Sequence, residues 1–587
     1  MRNKFFISAL AATVALAGAA KQGNNDNKEL NNETAPAPVE TSAAMPVMLP
    51  YTYSAAEGIG DKRGYLGIGA GTQANILVDA GYRAVDTDNA NLSLWFKHNS
   101  TWTGKNSSPA FDQYSYLTPL KQKFNDNRLG FDFSNTFSGG TLTVNGMGNI
   151  DNFNYYAAAD VADGGHHPLD YDGFDNSKHQ TYTEFNIGAN WDGQVSKLAY
   201  RTGLKLNHAG YSMLPYAGET KGGKDNHLTF NAGADYAIGG GSTVTLDVIG
   251  DYVKLIAAQI NGGKINPRED MGYFLLTLAP RYGWANDVFS IKAGADIIFG
   301  NPQVRMMGGK FDDSEVRAVP ALDLDWKITD GLGFYAKLGG GVDIRTFSTM
   351  RTITRYSDPT GRVTNTWNPL TGEGGFRVGP FDGFSAKLYV NYAMIKADVA
   401  HFVLIQGTTA DEAQPWIGIP NGVCYFEGGK SRGFMLTADL NYKYRSLLEA
   451  SAVISYNIRG DGDGEKNGWG TCYGIDLDDP HWTGKFDVAV NPTDKFTFNV
   501  GLELRKGRYV PGVFCTSYLE PELLALDEVV DLNLGDVTNL YAGATWHVTD
   551  TVNLWLKGGN LLNKRWDDLY GMGAQRLNVM AGVGLAF

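Results

Sequence analysis

The chain closes on Leu577-Asn578-Val579-Met580-Ala581-Gly582-Val583-Gly584-Leu585-Ala586-Phe587, and this stretch decides the fold. Leu577, Val579, Ala581, Val583, Leu585 and Phe587 alternate with Asn578, Met580, Gly582, Gly584 and Ala586. A period of two sorts these residues onto the two faces of a strand, whereas helical spacing would scatter them around an axis. As the edge of a soluble sheet, such a strand would present a long apolar template for aggregation. As the closing strand of a barrel it pairs with the first strand and leaves no edge.

The same alternation runs back through the chain to Gly64. Phe496, Phe498, Val500, Leu502 and Leu504 oppose Thr497, Asn499, Gly501, Glu503 and Arg505. Leu448, Ala450, Ala452, Ile454 and Tyr456 oppose Glu449, Ser451, Ser455, Asn457 and Arg459, and Leu198, Tyr200, Leu204 and Leu206 oppose Arg201, Lys205 and Asn207. The connections are alternately short and long. Thr329-Asp330, Thr493-Asp494, Thr549-Asp550, Gly239-Gly240-Gly241 and Gly139-Gly140 read as tight turns, because Asp bonds to nearby backbone and Gly accepts positive φ. Between them lie long polar segments at 102–126, 151–179, 346–382, 407–432, 460–482 and 511–536. Short turns on one rim and long loops on the other mark a transmembrane barrel and not a β-sandwich. The expected fold is all-β: a transmembrane antiparallel β-barrel over residues 64–587, with roughly 22 strands in a range of about 18 to 22. With every short turn on one rim, the count closes if a tight outer turn falls near Gly71–Asn75 and another within Met394–Gln406.

Composition agrees. The 587 residues include 73 glycines, 12% aromatics and only 19% charged residues, fewer than the ~25% of soluble domains. Mean hydropathy is -0.25, and no apolar run reaches the roughly 18 residues a spanning helix needs. A barrel tolerates that hydropathy because only alternate residues meet lipid. A net charge of -13 argues against nucleic acid as a partner. Acidic outer loops could instead hold divalent cations among lipopolysaccharide headgroups, although such loops are usually just solvated. Arg2 and Lys4, the apolar run Phe5 to Leu16 and the small residues Ala17, Gly18, Ala19 and Ala20 read as a signal peptide over 1–20. Residues 21–63, rich in Asn, Glu, Ala and Pro toward Pro50, read as a disordered periplasmic tether.

Gly559-Asn560-Leu561-Leu562-Asn563-Lys564-Arg565-Trp566, with the terminal strand after it, resembles the closing segment of TonB-dependent receptor barrels. Lys62-Arg63-Gly64-Tyr65-Leu66-Gly67-Ile68-Gly69-Ala70-Gly71, then Gly81-Tyr82-Arg83 and Asp86-Thr87-Asp88, resembles the opening of their plugless relatives. The last strand also resembles the segment read by the outer-membrane assembly machinery. The resemblance implies a cell outer membrane location, a periplasmic N-terminus and a wide lumen. Receptors of that family carry an N-terminal plug, whereas only residues 21–63 precede the first strand here. Infolded loops, the tether or a partner protein must then fill the lumen, since barrels of this size are normally plugged.

Arg201, Lys205, Asp247, Asp251, Asp439, Lys443, Glu449, Arg459, Glu503 and Arg505 fall on the polar faces of strands and are candidates for the lumen lining. Their mixed signs equally suit salt-bridged packing and do not form a ring of one charge. Trp326, Tyr541, Trp546 and Trp555 lie near the short turns and are expected in the periplasmic aromatic girdle. Cys424, Cys472 and Cys515 fall in successive outer loops, where one disulfide between adjacent loops or three free thiols are both open. Asp461-Gly462-Asp463-Gly464-Glu465 lacks the remaining spacing of a calcium loop, and His166-His167 lacks ligand spacing, so no metal or other cofactor is expected. No hydrolase or nucleotide motif occurs, and no catalytic residue or enzyme activity is expected. Two functions stay open: a transport-type barrel closed by loops or a partner, and a scaffold subunit whose loops bind another envelope or surface protein.

Overall fold

The structure is a computed structural model. It describes residues 62–103, 118–119, 122–155, 159–160, 179–215, 219–265, 270–300, 315–360, 365–406, 425–460, 480–515, 529–569 and 572–587.

The barrel opens with β1 (Gly64–Gly71), β2 (Ile76–Asp86), β3 (Ala90–Trp102), β4 (Lys123–Phe137) and β5 (Gly140–Asn154). It continues through β6 (His179–Val195), β7 (Leu198–Tyr211), β8 (Lys224–Gly239), β9 (Ser242–Ile256), β10 (Met271–Ala285) and β11 (Phe289–Gly300). Next come β12 (Glu315–Thr329), β13 (Leu332–Asp343), β14 (Thr366–Phe381), β15 (Phe384–Gln406) and β16 (Tyr425–Tyr444). The ring ends with β17 (Leu448–Gly460), β18 (Trp482–Thr493), β19 (Phe496–Lys506), β20 (Val537–His547), β21 (Val552–Gly559) and β22 (Asn578–Ala586).

These strands form a closed antiparallel barrel of 22, as the alternation predicts. Closure is made by the stretch first quoted. β22 pairs with β1 from Tyr65 opposite Ala586 to Gly71 opposite Met580. The Phe587 carbonyl then accepts the Gly64 N–H at 2.8 Å, and the Phe587 N–H donates back to Gly64 at 2.9 Å. The predicted tight turns at 139–140, 239–241, 329–330, 493–494 and 549–550 all join neighbouring strands. Gly239, Gly240 and Gly241 have φ of 117°, 61° and 78°, where a β-carbon would be strained. The outer turn near Gly71–Asn75 is also present, a single 3-10 turn over Thr72–Ala74.

Two linked expectations fail here. Met394–Gln406 contains no turn, because Phe384–Gln406 runs as one strand of 23 residues. The count closes instead because Thr366–Phe381, expected inside a long loop, is β14. Pro369, Gly372, Gly374, Gly375, Gly379 and Pro380 dilute its alternation. Pairing with β13 on one side and β15 on the other supplies what propensity does not.

The outward faces carry the apolar residues. Leu228 and Phe230 on β8, Leu436 on β16, and Phe496, Phe498 and Val500 on β19 are exposed there, and Leu585 continues the band on β22. Such a surface is stable only against lipid. Beyond the wall, Tyr509–Cys515 pairs in parallel with Val403–Gln406 and antiparallel with Val529–Asn533, so β15 and its neighbours continue into a sheet above the loop rim.

Candidate functional site

The chain after β13 does not stay outside. Ile344–Thr360 turns back between the walls, on the rim opposite the tight turns. Phe347–Ile353 forms a short helix, α1, with Thr346 as its N-cap. The Thr349 N–H donates to Thr346 Oγ1 at 3.2 Å and the Thr346 N–H to Thr349 Oγ1 at 2.7 Å, a reciprocal cap that satisfies otherwise orphaned donors. The spacing of Phe347, Met350 and Arg351 places them on one helical face, and all three are buried.

That face meets inward-pointing residues of five consecutive strands. The Phe347 N–H donates to Asp225 on β8, and the Ser348 hydroxyl to Glu184 on β6 at 2.7 Å. Asn207 on β7 donates to Ser348 at 3.2 Å. Arg351 pairs with Asp151 on β5, and lies 3.5 Å from Asp126 on β4. Arg355 Nε donates to the same Asp151 oxygen at 2.6 Å, and its Nη2 lies 3.5 Å from Asp126. The Arg355 guanidinium sits over the Phe124 ring at 3.8 Å, that of Arg351 over Tyr182 at 5.7 Å. Burial alone would lower the Arg351 pKa, but Asp151 and Asp126 hold it above the ordinary guanidinium value. Tyr356, packed edge-on against Phe153, accepts from Gln122 at 3.3 Å, and burial pushes its hydroxyl up to about 12. The Gly223 N–H donates to the Pro359 carbonyl at 2.8 Å and closes the contact.

The wall below carries many of the charges read from the sequence. Arg201 bridges Asp235 and Asp247. Asp251 accepts from Thr229 at 2.8 Å and lies 2.8 Å from His227. Lys205 is exposed on the Arg201 face of β7. Lys443 pairs with Glu449, and both stay open at 66% and 52% exposure. Asp439 accepts from Asn441 at 2.8 Å, and Glu503 from Asn539 at 3.5 Å. Arg505 lies opposite Thr483 and Val537 in the ladder. The Arg459 backbone pairs with Gly433, and its side chain lies outside the described residues. The structure adds Lys387 with Glu373 at 3.1 Å, and Arg281 with Asp296.

The four aromatics divide. Trp326 and Trp546 stand on the outer face at 45% and 44% exposure. Tyr541 and Trp555 do not belong with them. Tyr541 points inward and its hydroxyl donates to Asp487. Trp555 is buried inside with Leu77 and Met580. The cause is glycine on the next strand: a β-carbon at Gly501 would stand 2.2 Å from the Tyr541 ring, and one at Gly582 2.2 Å from the Trp555 ring. The inward rings fill that space.

Cys424, Cys472 and the side chain of Cys515 lie outside the described residues, as do His166-His167 and Asp461–Glu465. Among the described residues, no group of three or more His, Cys, Asp or Glu could hold a metal ion. Arg351, Arg355, Asp126 and Asp151 were absent from the sequence reading. The one local signal was the spacing of two arginines four apart, inside a segment too short and polar to read as a helix.

No protein-family model matches the chain, and no curated protein matches it by sequence. Solved structures do match. A variant of the ferric enterobactin receptor PfeA from Pseudomonas aeruginosa is similar with a TM-score of 0.62 at 11% identity, over 90% of this chain and 80% of that one. The siderophore receptor PirA from Acinetobacter baumannii gives 0.64 at 10% identity, over 90% and 80%. The copper transporter OprC gives 0.59 at 9%, over 90% and 81%. What these identities establish is a shared fold, the large receptor-type barrel that the sequence resemblance implied.

Proposed function

We propose that the chain is a transport-type outer-membrane barrel whose own inserted loop, and not a separate plug, closes the lumen. The carrying observation is Ile344–Thr360, ion-paired through Arg351 and Arg355 to Asp151 on the inner wall. Elsewhere on the strands, Lys443 and Lys485 remain exposed at 66% and 56%, so part of the charged wall stays in reach of water. The likeness to receptors named for siderophores and copper supports a transport reading over catalysis. Residues 1–20 would direct export and 21–63 would lie in the periplasm. The exposed terminal face ending in Phe587 would be offered to the assembly machinery, and outer lipid and lipopolysaccharide would cover the apolar band.

Planar-bilayer recording tests this. The native barrel should conduct little, and replacing residues 346–360 by a short Gly-Ser linker should open large, stable steps. If the folded loop-replaced barrel stays silent, the transport reading fails. A scaffold role has one observation of its own, the sheet of Val403–Gln406, Tyr509–Cys515 and Val529–Asn533 above the rim, whose edges could pair with another chain. Silence combined with a stoichiometric partner in detergent pull-downs would favour it.

A further inference from the structure

The charges on the two sides of the loop contact are not alike. The wall contributes Asp126, Asp151, Glu184 and Asp225, all touching the loop, and Arg128, 3.0 Å from Asp126, as a wall cation. The loop contributes Arg351 and Arg355. Elsewhere the wall balances itself, with Arg201 between Asp235 and Asp247, Arg281 with Asp296 and Lys387 with Glu373 all joining strand to strand. Here the strands supply carboxylates in excess, and the balancing cations come from a segment that is not part of the wall.

The receiving surface is built for flat cations. Phe124 and Tyr182 offer ring faces to the two guanidinium groups, and both rings belong to strands. Carboxylate plus aromatic face is the combination that holds guanidinium and ammonium groups when water is excluded. The contact is unsaturated on both sides, with Arg351 Nε and Arg355 Nη1 also lacking partners, so the loop does not use all that the wall offers. Asp151 is fully buried, yet its Oδ1 has no hydrogen-bond partner, and the buried Asn149 Oδ1 beside it has none either. An unfilled acceptor in such a place draws a further donor.

We propose that Asp126, Asp151, Phe124 and Tyr182 form a binding site for a solute bearing a guanidinium or primary ammonium group, and that Arg351 and Arg355 are its resident competitors. The inference rests on the transport reading for its purpose, because it names the class of solute that the lumen admits once the loop withdraws. A cationic solute takes the place of the arginines, and the loop's hold on the wall is lost with them.

Agmatine, which carries both groups, is the probe, and calorimetry on the folded barrel in detergent is the readout. The loop-replaced barrel should bind agmatine, and the native chain about tenfold more weakly, since there the solute must displace the loop. Asp126→Asn with Asp151→Asn in the loop-replaced barrel should weaken binding by at least about tenfold. Lys327→Met, exposed at the 329–330 turn on the opposite rim, controls for loss of one positive charge and should leave binding unchanged. Failure of the loop-replaced barrel to bind, or binding indifferent to the Asn substitutions, overturns the site. The readout is independent of conductance: a barrel that binds agmatine but stays silent in bilayers keeps the site and loses the transport reading, and one that conducts without binding does the reverse.

Discussion

Arg351, on the inserted helix, pairs with Asp151, 200 residues earlier in the chain and on the inner face of β5. Asp151 is fully buried and receives Arg355 as well, so a single carboxylate anchors two turns of the loop. A buried carboxylate that loses its cation keeps the desolvation cost without the compensation, which makes this contact strong to break although weak to form.

The two partners should therefore be coupled. Asp151→Asn, which leaves Arg351 and Arg355 with only the more distant Asp126, should destabilise the barrel in urea titrations of vesicle-reconstituted protein by about 3 kcal/mol, and Arg355→Gln by less, since Arg351 still pairs with Asp151. The double variant should cost less than the sum, with a coupling of about 1 to 3 kcal/mol. Simple additivity would mean that the pair does not act as a unit, and the loop would need another anchor.

A second prediction concerns the closure seam. Gly69 on β1 and Gly582 on β22 face each other, and Trp555 on β21 lies across both. A β-carbon at Gly69 would stand 2.2 Å from the Trp555 ring, so Gly69→Ala should overpack the seam at about 1 to 3 kcal/mol. Unheated gel migration should show less compact barrel. In a Trp555→Ala background, the same substitution should cost almost nothing, because the obstructing ring is gone. An equal cost in both backgrounds would assign the effect to strand pairing and not to the ring.

These residues also show where the sequence was readable. Phe496 to Arg505 alternates so cleanly that β19 could be placed almost to the residue, and Leu577 to Phe587 fixed the closure. β14 was missed because two prolines and four glycines hide its period, and a strand's neighbours are invisible from its own residues. An infolded loop is one of the expected fillings, but which loop folds in is hidden for the same reason: Arg351 and Arg355 take their meaning from Asp126 and Asp151, far away in sequence. Tyr541 is a different failure. It lies five residues before the outward Trp546, an odd spacing, so parity along the strand already placed it on the other face. Nearness to a turn says less about which face a ring takes than parity along its strand does.

Arg201 gives a third prediction, about geometry and not only charge. Its guanidinium spans Asp235 on β8 and Asp247 on β9 at once. Arg201→Met should destabilise by about 3 to 5 kcal/mol, since two half-buried carboxylates lose their cation. Arg201→Lys should recover only part of that, because an ammonium is a compact charge and lacks the planar fork. Adding Asp235→Asn and Asp247→Asn to Arg201→Met should restore most of the stability. Full rescue by lysine would show that charge alone holds the three strands there.

The last prediction separates the outer from the inner aromatics. Trp546 and Trp555 sit on adjacent strands close to the same tight turn at 548–551, and nearness to that turn does not distinguish their surroundings. Trp546 stands outward at 44% exposure, stacked on Phe496, whereas Trp555 is 5% exposed on the inward face. In variants that keep one tryptophan each, reconstituted in vesicles with bromine on the acyl chains near the headgroup, Trp546 should lose most of its fluorescence. Interfacial indoles lie at that depth. Trp555 should be nearly unaffected, because β21 and its neighbours stand between the ring and the lipid. Strong quenching of Trp555 would place its ring on the lipid side, reverse the inside and outside of β21, and with it the register of the closure through β22.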